Sequence, residues 1–88
     1  MEVQFTKTFS KQIDDIRNVS LVSKIASVVE TVMRAENLSS IANLKKLKGD
    51  DSAYRIRIGN YRIGLFIEKG EATFAYFSHR KDIYNKFP

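Results

Sequence analysis

The feature that most constrains this chain is a switch to strict two-residue alternation after Ala53. Tyr54, Ile56 and Ile58 alternate with Arg55 and Arg57. Tyr61, Ile63, Leu65 and Ile67 alternate with Arg62, Gly64 and Phe66, and Phe74 and Tyr76 follow after a break at Gly70. Successive side chains on a strand point to opposite faces, so the pattern asks for a sheet with one apolar side. Gly59-Asn60 and Lys69-Gly70 sit where two-residue hairpin loops need positive φ, and each joins two runs of strand character. The C-terminal half therefore reads as a three-stranded antiparallel meander.

The N-terminal half has a different period. Val3 and Phe5 alternate with Gln4 and Thr6, which predicts a short strand over residues 2–7. Ser10 is placed to cap a first helix containing Ile13 and Ile16 and ending near Asn18. A second helix after Ser20 carries Leu21, Ile25, Val28, Val29, Val32 and Met33 as a one-sided stripe, with Lys24, Glu30 and Arg34 elsewhere. Residues 37–41 read as a polar connection and residues 44–52 as a loop or turn. The expected fold class is α+β: an N-terminal strand and a helical hairpin packed on an antiparallel sheet that ends in the meander.

At 88 residues the chain is short enough that one domain spanning residues 1–88, with one modest core, is expected. The absence of cysteine rules out a disulfide framework and thiolate metal sites, and one histidine is too few for an imidazole site. Neither a metal nor an organic cofactor is implied. No stretch of about 18 apolar residues and no apolar leader is present, so the sequence offers no membrane association and cytoplasmic location is the expectation. Fifteen Lys and Arg against ten Asp and Glu give a net charge of +5, which favours phosphate-rich or acidic partners.

The distribution of that charge says more than its sum. A two-residue turn at Gly59-Asn60 pairs Arg57 with Arg62 and Arg55 with Gly64, so three arginines share one face. A second two-residue turn at Lys69-Gly70 places Arg62 opposite Phe77 and Gly64 opposite Ala75. Like charges directly opposed across an antiparallel pair are unfavourable, by roughly 0.2–1 kcal/mol. An anionic ligand relieves that repulsion, and guanidinium forks match phosphate oxygens. Gly64 and Ala75 are expected to leave a shallow floor beside the arginines, with Phe77 as a ring on which a base stacks. Lys45, Lys46 and Lys48 form a further basic run suited to phosphate contacts. His79 is the one side chain that ordinarily titrates near neutrality, which makes it the proton-transfer candidate. Arg80 and Tyr84 follow it closely. The acidic residues are scattered, which disfavours a carboxylate-based two-metal nuclease and favours RNA cleavage by the 2′-hydroxyl.

The run Tyr54-Arg55-Ile56-Arg57-Ile58-Gly59-Asn60-Tyr61-Arg62-Ile63, preceded by Leu47-Lys48-Gly49 and followed by His79-Arg80-Lys81-Asp82-Ile83-Tyr84, resembles the RelE/ParE superfamily of type II toxin–antitoxin toxins. The order of elements matches over nearly the whole chain. The resemblance implies a RelE-like fold, a cognate antitoxin protein as partner and, for the RelE branch, endoribonuclease (mRNA interferase) cleavage of mRNA on the ribosome. It implies catalytic roles for Arg55, Arg57, Arg62, Arg80 and Tyr84, and some relatives carry a histidine near the position of His79. The ParE-like branch shares the fold and poisons DNA gyrase, and a non-catalytic binding relative is the third alternative. Retention of the arginines and Tyr84 favours the ribonuclease branch. DNA contact is expected only through the antitoxin.

Overall fold

A computed structural model describes residues 1–80 and 83–88, with the backbone alone for Tyr84 and Asn85. The chain begins with strand β1 (Glu2–Phe5), followed by helices α1 (Lys7–Asp14) and α2 (Val19–Arg34) and a 3-10 turn at Leu38–Ser40. Strands β2 (Leu44–Lys46), β3 (Ala53–Ile58), β4 (Tyr61–Glu68) and β5 (Glu71–His79) come next, and helix α3 (Ile83–Lys86) closes the chain. All five strands form one sheet in the order β1-β5-β4-β3-β2. The meander is present as the alternation requires. The sheet as a whole is mixed, because β1 joins β5 in parallel while the other pairs are antiparallel.

Two helix starts lie earlier than the sequence reading put them. Thr6, not Ser10, caps α1: its Oγ1 accepts from the Phe9 N–H at 3.1 Å and donates to the Ala75 carbonyl at 3.0 Å, so one hydroxyl serves both helix and sheet. Asn18, expected at the end of the first helix, instead caps α2, accepting from the Leu21 N–H at 3.1 Å. Residues 44–46, expected in a loop, form the edge strand β2. It is short and carries Lys45 and Lys46, which suits an edge that must not pair with other chains.

Both hairpin loops contain two residues. Gly59 has φ 57° and Asn60 lies outside the positive region, the pattern of a type II′ turn, whereas Lys69 at 50° and Gly70 at 76° fit type I′. The main core lies between the sheet and α1 and α2. It contains Phe9, Ile25, Val32, Ile56, Ile63, Leu65, Phe74 and Phe77, all buried. A smaller cluster of Leu47, Ala53, Ile83 and Phe87 lies on the opposite face, where α3 packs. Truncating a fully buried member of the main core such as Leu65 to Ala costs on the order of 2–5 kcal/mol.

The register of β4 on β5 contains a bulge between Gly64 and Leu65. Leu65 pairs with Phe74, but Gly64 pairs with Tyr76, Ile63 with Phe77 and Arg62 with Ser78. The bulge leaves the Phe77 N–H needing an acceptor, and Gln12 on α1 supplies its Oε1 at 2.8 Å. This one-residue shift decides which β5 side chains reach the arginines.

Candidate functional site

The face of the sheet opposite α1 and α2 carries Arg55 and Arg57 from β3 and Arg62 from β4. Strand alternation sends these residues away from Ile56, Ile58 and Ile63, which enter the main core. Arg57 pairs directly with Arg62, as the register arithmetic requires, and Arg55 pairs with Gly64. Lys45 pairs with Arg55 across β2 and β3, so a fourth cation joins this face. Neither Arg55 nor Arg57 takes part in an ion pair among the described residues. Two like-charged pairs thus stand across neighbouring strands, a cost that cross-strand packing does not explain.

Each guanidinium group is oriented by backbone or side-chain oxygen. Arg62 Nη1 donates to the Gly59 carbonyl at 3.2 Å and the Tyr61 carbonyl at 3.0 Å, which holds the side chain over the β3–β4 turn. Arg55 Nη1 donates to the Asn43 carbonyl at 2.9 Å, and Arg57 Nη2 reaches Asn43 Oδ1 at 3.4 Å. Arg55 Nε is shut off from water with no hydrogen-bond partner among the described residues. A desolvated donor without an acceptor is a cost to folding. For Arg55 and Arg57, orientation by the neutral oxygens of Asn43 leaves the positive charge available to an anion, which is what phosphate recognition needs.

Several expectations for the site are corrected. Phe77 does not face the arginines. The bulge turns it to the helix side, where it is buried and stacks on Tyr61 with ring centroids 5.2 Å apart. Tyr76, expected on the apolar side, pairs with Gly64 and lies on the arginine side instead, half-buried against the smaller cluster. His79 pairs with Tyr61 and therefore shares its helix-side face, with the two rings edge to face at 5.8 Å. It is thus separated by the sheet from the three arginines that it was expected to serve. The floor at Gly64 is filled by the chain itself: a Cβ at Gly64 would lie 2.5 Å from Phe87 Cδ2 and Cγ, so the glycine exists to let that ring lie on the sheet.

Arg80 is exposed, and its N–H donates to the Asn60 carbonyl at 2.8 Å, extending the β4–β5 ladder one step beyond His79. The Tyr84 side chain lies outside the described residues. Alternation divides Lys45 from Lys46, which pairs with Tyr54 and lies 3.6 Å from Asp51 Oδ1. Lys45, Lys46 and Lys48 nonetheless line one open cleft of about 350 Å³ with Leu47, Phe87 and Pro88. Sequence reasoning missed Asn43 and Gln12. The signal for Asn43 was an Asn directly before a strand, a residue that tolerates left-handed φ; for Gln12 there was none without the bulge.

The chain is 37% identical over 91 residues to Toxin RelE3 of Methanocaldococcus jannaschii, with the whole of both chains covered. The chain belongs to the RelE toxin family. Among solved structures, this RelE-family chain is similar to the RelB-RelE antitoxin-toxin complex of Methanococcus jannaschii, at 34% identity and a TM-score of 0.78, covering 97% of this chain and 99% of that one. The RelE-RelB complex of the archaeon Pyrococcus horikoshii OT3 shares the fold at 15% identity and a TM-score of 0.75, with 93% and 97% covered. No protein-family model matches the chain.

Proposed function

We propose that this RelE-family toxin is a metal-independent endoribonuclease that cleaves mRNA on the ribosome and is held inactive by a cognate antitoxin. The observation that carries the reading is the directly opposed pair Arg57 and Arg62, with Arg55 beside them and Lys45 opposite Arg55, on the sheet face away from the main helices. A phosphate between strands turns this repulsion into attraction. The guanidinium groups of Arg55, Arg57 and Arg62 hold the scissile phosphate and stabilise the charge that builds on it as the neighbouring 2′-hydroxyl, giving its proton to water, attacks phosphorus and the bond to the 5′-oxygen, which takes a proton from water, breaks. Arg80 and Tyr84 orient the substrate, and the lysine cleft along β2 receives flanking phosphates. His79, on the other face, is assigned no proton transfer.

The antitoxin is proposed to present acidic and apolar groups to the basic face, since charge complementarity both steers such a partner and blocks the site. Two similar solved structures are antitoxin-toxin complexes, which supports a partner of this kind. DNA would be contacted through that partner. Induced expression in a bacterial host, with growth, bulk translation and primer extension on a reporter mRNA followed together, tests the reading. Growth arrest with new mRNA ends is the expected result. Arrest with intact mRNA and gyrase-dependent DNA damage would overturn it in favour of a ParE-like target, and no arrest would leave a binding relative without catalysis.

A further inference from the structure

Asn43 stands directly before β2 with φ 63°, in the left-handed region that asparagine tolerates better than other side-chain-bearing residues. From that conformation it meets three donors of β3. Its carbonyl oxygen accepts from the Arg57 backbone N–H at 3.3 Å and from Arg55 Nη1 at 2.9 Å, while its Oδ1 accepts from Arg57 Nη2 at 3.4 Å. One residue therefore meets two of the three guanidinium groups on the site face. The Arg57 residue is exposed. A long exposed side chain samples many rotamers, so one held in place before substrate arrives loses less freedom on binding. A carboxamide does this without the charge that a carboxylate would bring, leaving both arginines fully cationic toward a phosphate.

We propose that Asn43 is a positioning residue of the arginine site: its carbonyl and carboxamide together hold Arg55 and Arg57 in the arrangement that receives the scissile phosphate. The inference rests on the ribonuclease reading for its kinetic readout, and a second readout separates the two. Asn43→Gly is the informative variant, because glycine keeps the left-handed conformation and the carbonyl acceptor and deletes only the carboxamide.

In single-turnover cleavage of ribosome-bound mRNA by the purified chain, Asn43→Gly should lower the rate constant about threefold to tenfold, the range for one lost hydrogen bond. The melting temperature should change little. Added to Arg57→Ala, the same substitution should cost nothing further, since its partner is already gone. An undiminished rate in Asn43→Gly, or losses that multiply in the double variant, would overturn the proposal. Independently of cleavage, NMR of the arginine side chains should show hindered rotation of the Arg57 guanidinium in the unaltered chain and free averaging in Asn43→Gly. Averaging in both would overturn the positioning role. Hindered rotation in a chain that cleaves no mRNA would refute the ribonuclease reading alone.

Discussion

Gly64 shows how a single missing side chain links the core to the site. Its pairing with Arg55 puts it among the cations, yet the space above it belongs to the Phe87 ring, which also lies 5.0 Å from the ring of Phe66. A methyl group at position 64 must push Phe87 aside. Gly64→Ala is therefore expected to destabilise the chain by about 1–3 kcal/mol, as overpacking does. Urea denaturation of the single variant, of Phe87→Ala and of the double variant checks the cause. If the ring is the obstacle, most of the Gly64→Ala cost disappears once Phe87 is truncated. A cost that persists would mean that the glycine is needed for the β4 backbone instead. The role of Gly64 as a close-approach site was not legible in the sequence, because the ring that covers it is 23 residues further along the chain.

At the scale of elements, the hairpins and the opposition of Arg57 and Arg62 were legible because a two-residue loop fixes register completely on either side of it. That certainty lasts only until the first bulge. Arithmetic from Lys69-Gly70 held for Glu68 with Glu71 and Phe66 with Thr73, then failed by one residue at Gly64, moving Phe77 and His79 off the arginine face and Tyr76 onto it. The sequence does contain a trace of this: Phe74 and Phe77 are three apart, an odd spacing for two residues that both enter one core. The turn between β2 and β3 is a second local device. Asp50 Oδ1 accepts from the Ser52 N–H and hydroxyl, both at 2.8 Å. The backbone N–H of Ser52 and then its hydroxyl hold the Asp50 carboxyl below the ordinary aspartate range against slight desolvation, with a smaller contribution from Lys46. The folded chain thus binds this proton more weakly than the unfolded chain. The associated stability is present at neutral pH and is lost as pH falls below the ordinary aspartate pKa of about 3.9. Asp50→Asn keeps an acceptor and removes the charge, so its melting temperature should lie below that of the unaltered chain at pH 7 and converge with it in acid. A gap independent of pH would assign the effect to the turn's shape.

For the molecule as a whole, the two sheet faces divide the labour. Helices α1 and α2 cover one face and supply the main core, while the other holds the cations, with α3 closing part of it over Gly64 and Ala53. The net charge of +5 marked the chain as a partner for anions, but only the sheet register shows where the charge is concentrated. Binding of a short non-cleavable single-stranded RNA should therefore weaken steeply with salt. Lys45→Ala should make the log–log slope shallower by about 0.7, the value for one lost phosphate contact on a single strand. An unchanged slope would remove Lys45 from the RNA surface.

In the proposed function the opposed arginines act on an RNA phosphate. The most direct test is reconstituted cleavage of mRNA on purified ribosomes by the unaltered chain and by the folded Arg57→Ala/Arg62→Ala variant, with the ends of the products identified. The proposed function requires new ends bearing a 2′,3′-cyclic phosphate and a 5′-hydroxyl with the unaltered chain, and their loss in the variant without loss of the folded state. Cleavage that survives in the variant, or an unaltered chain that leaves the mRNA intact, would contradict it.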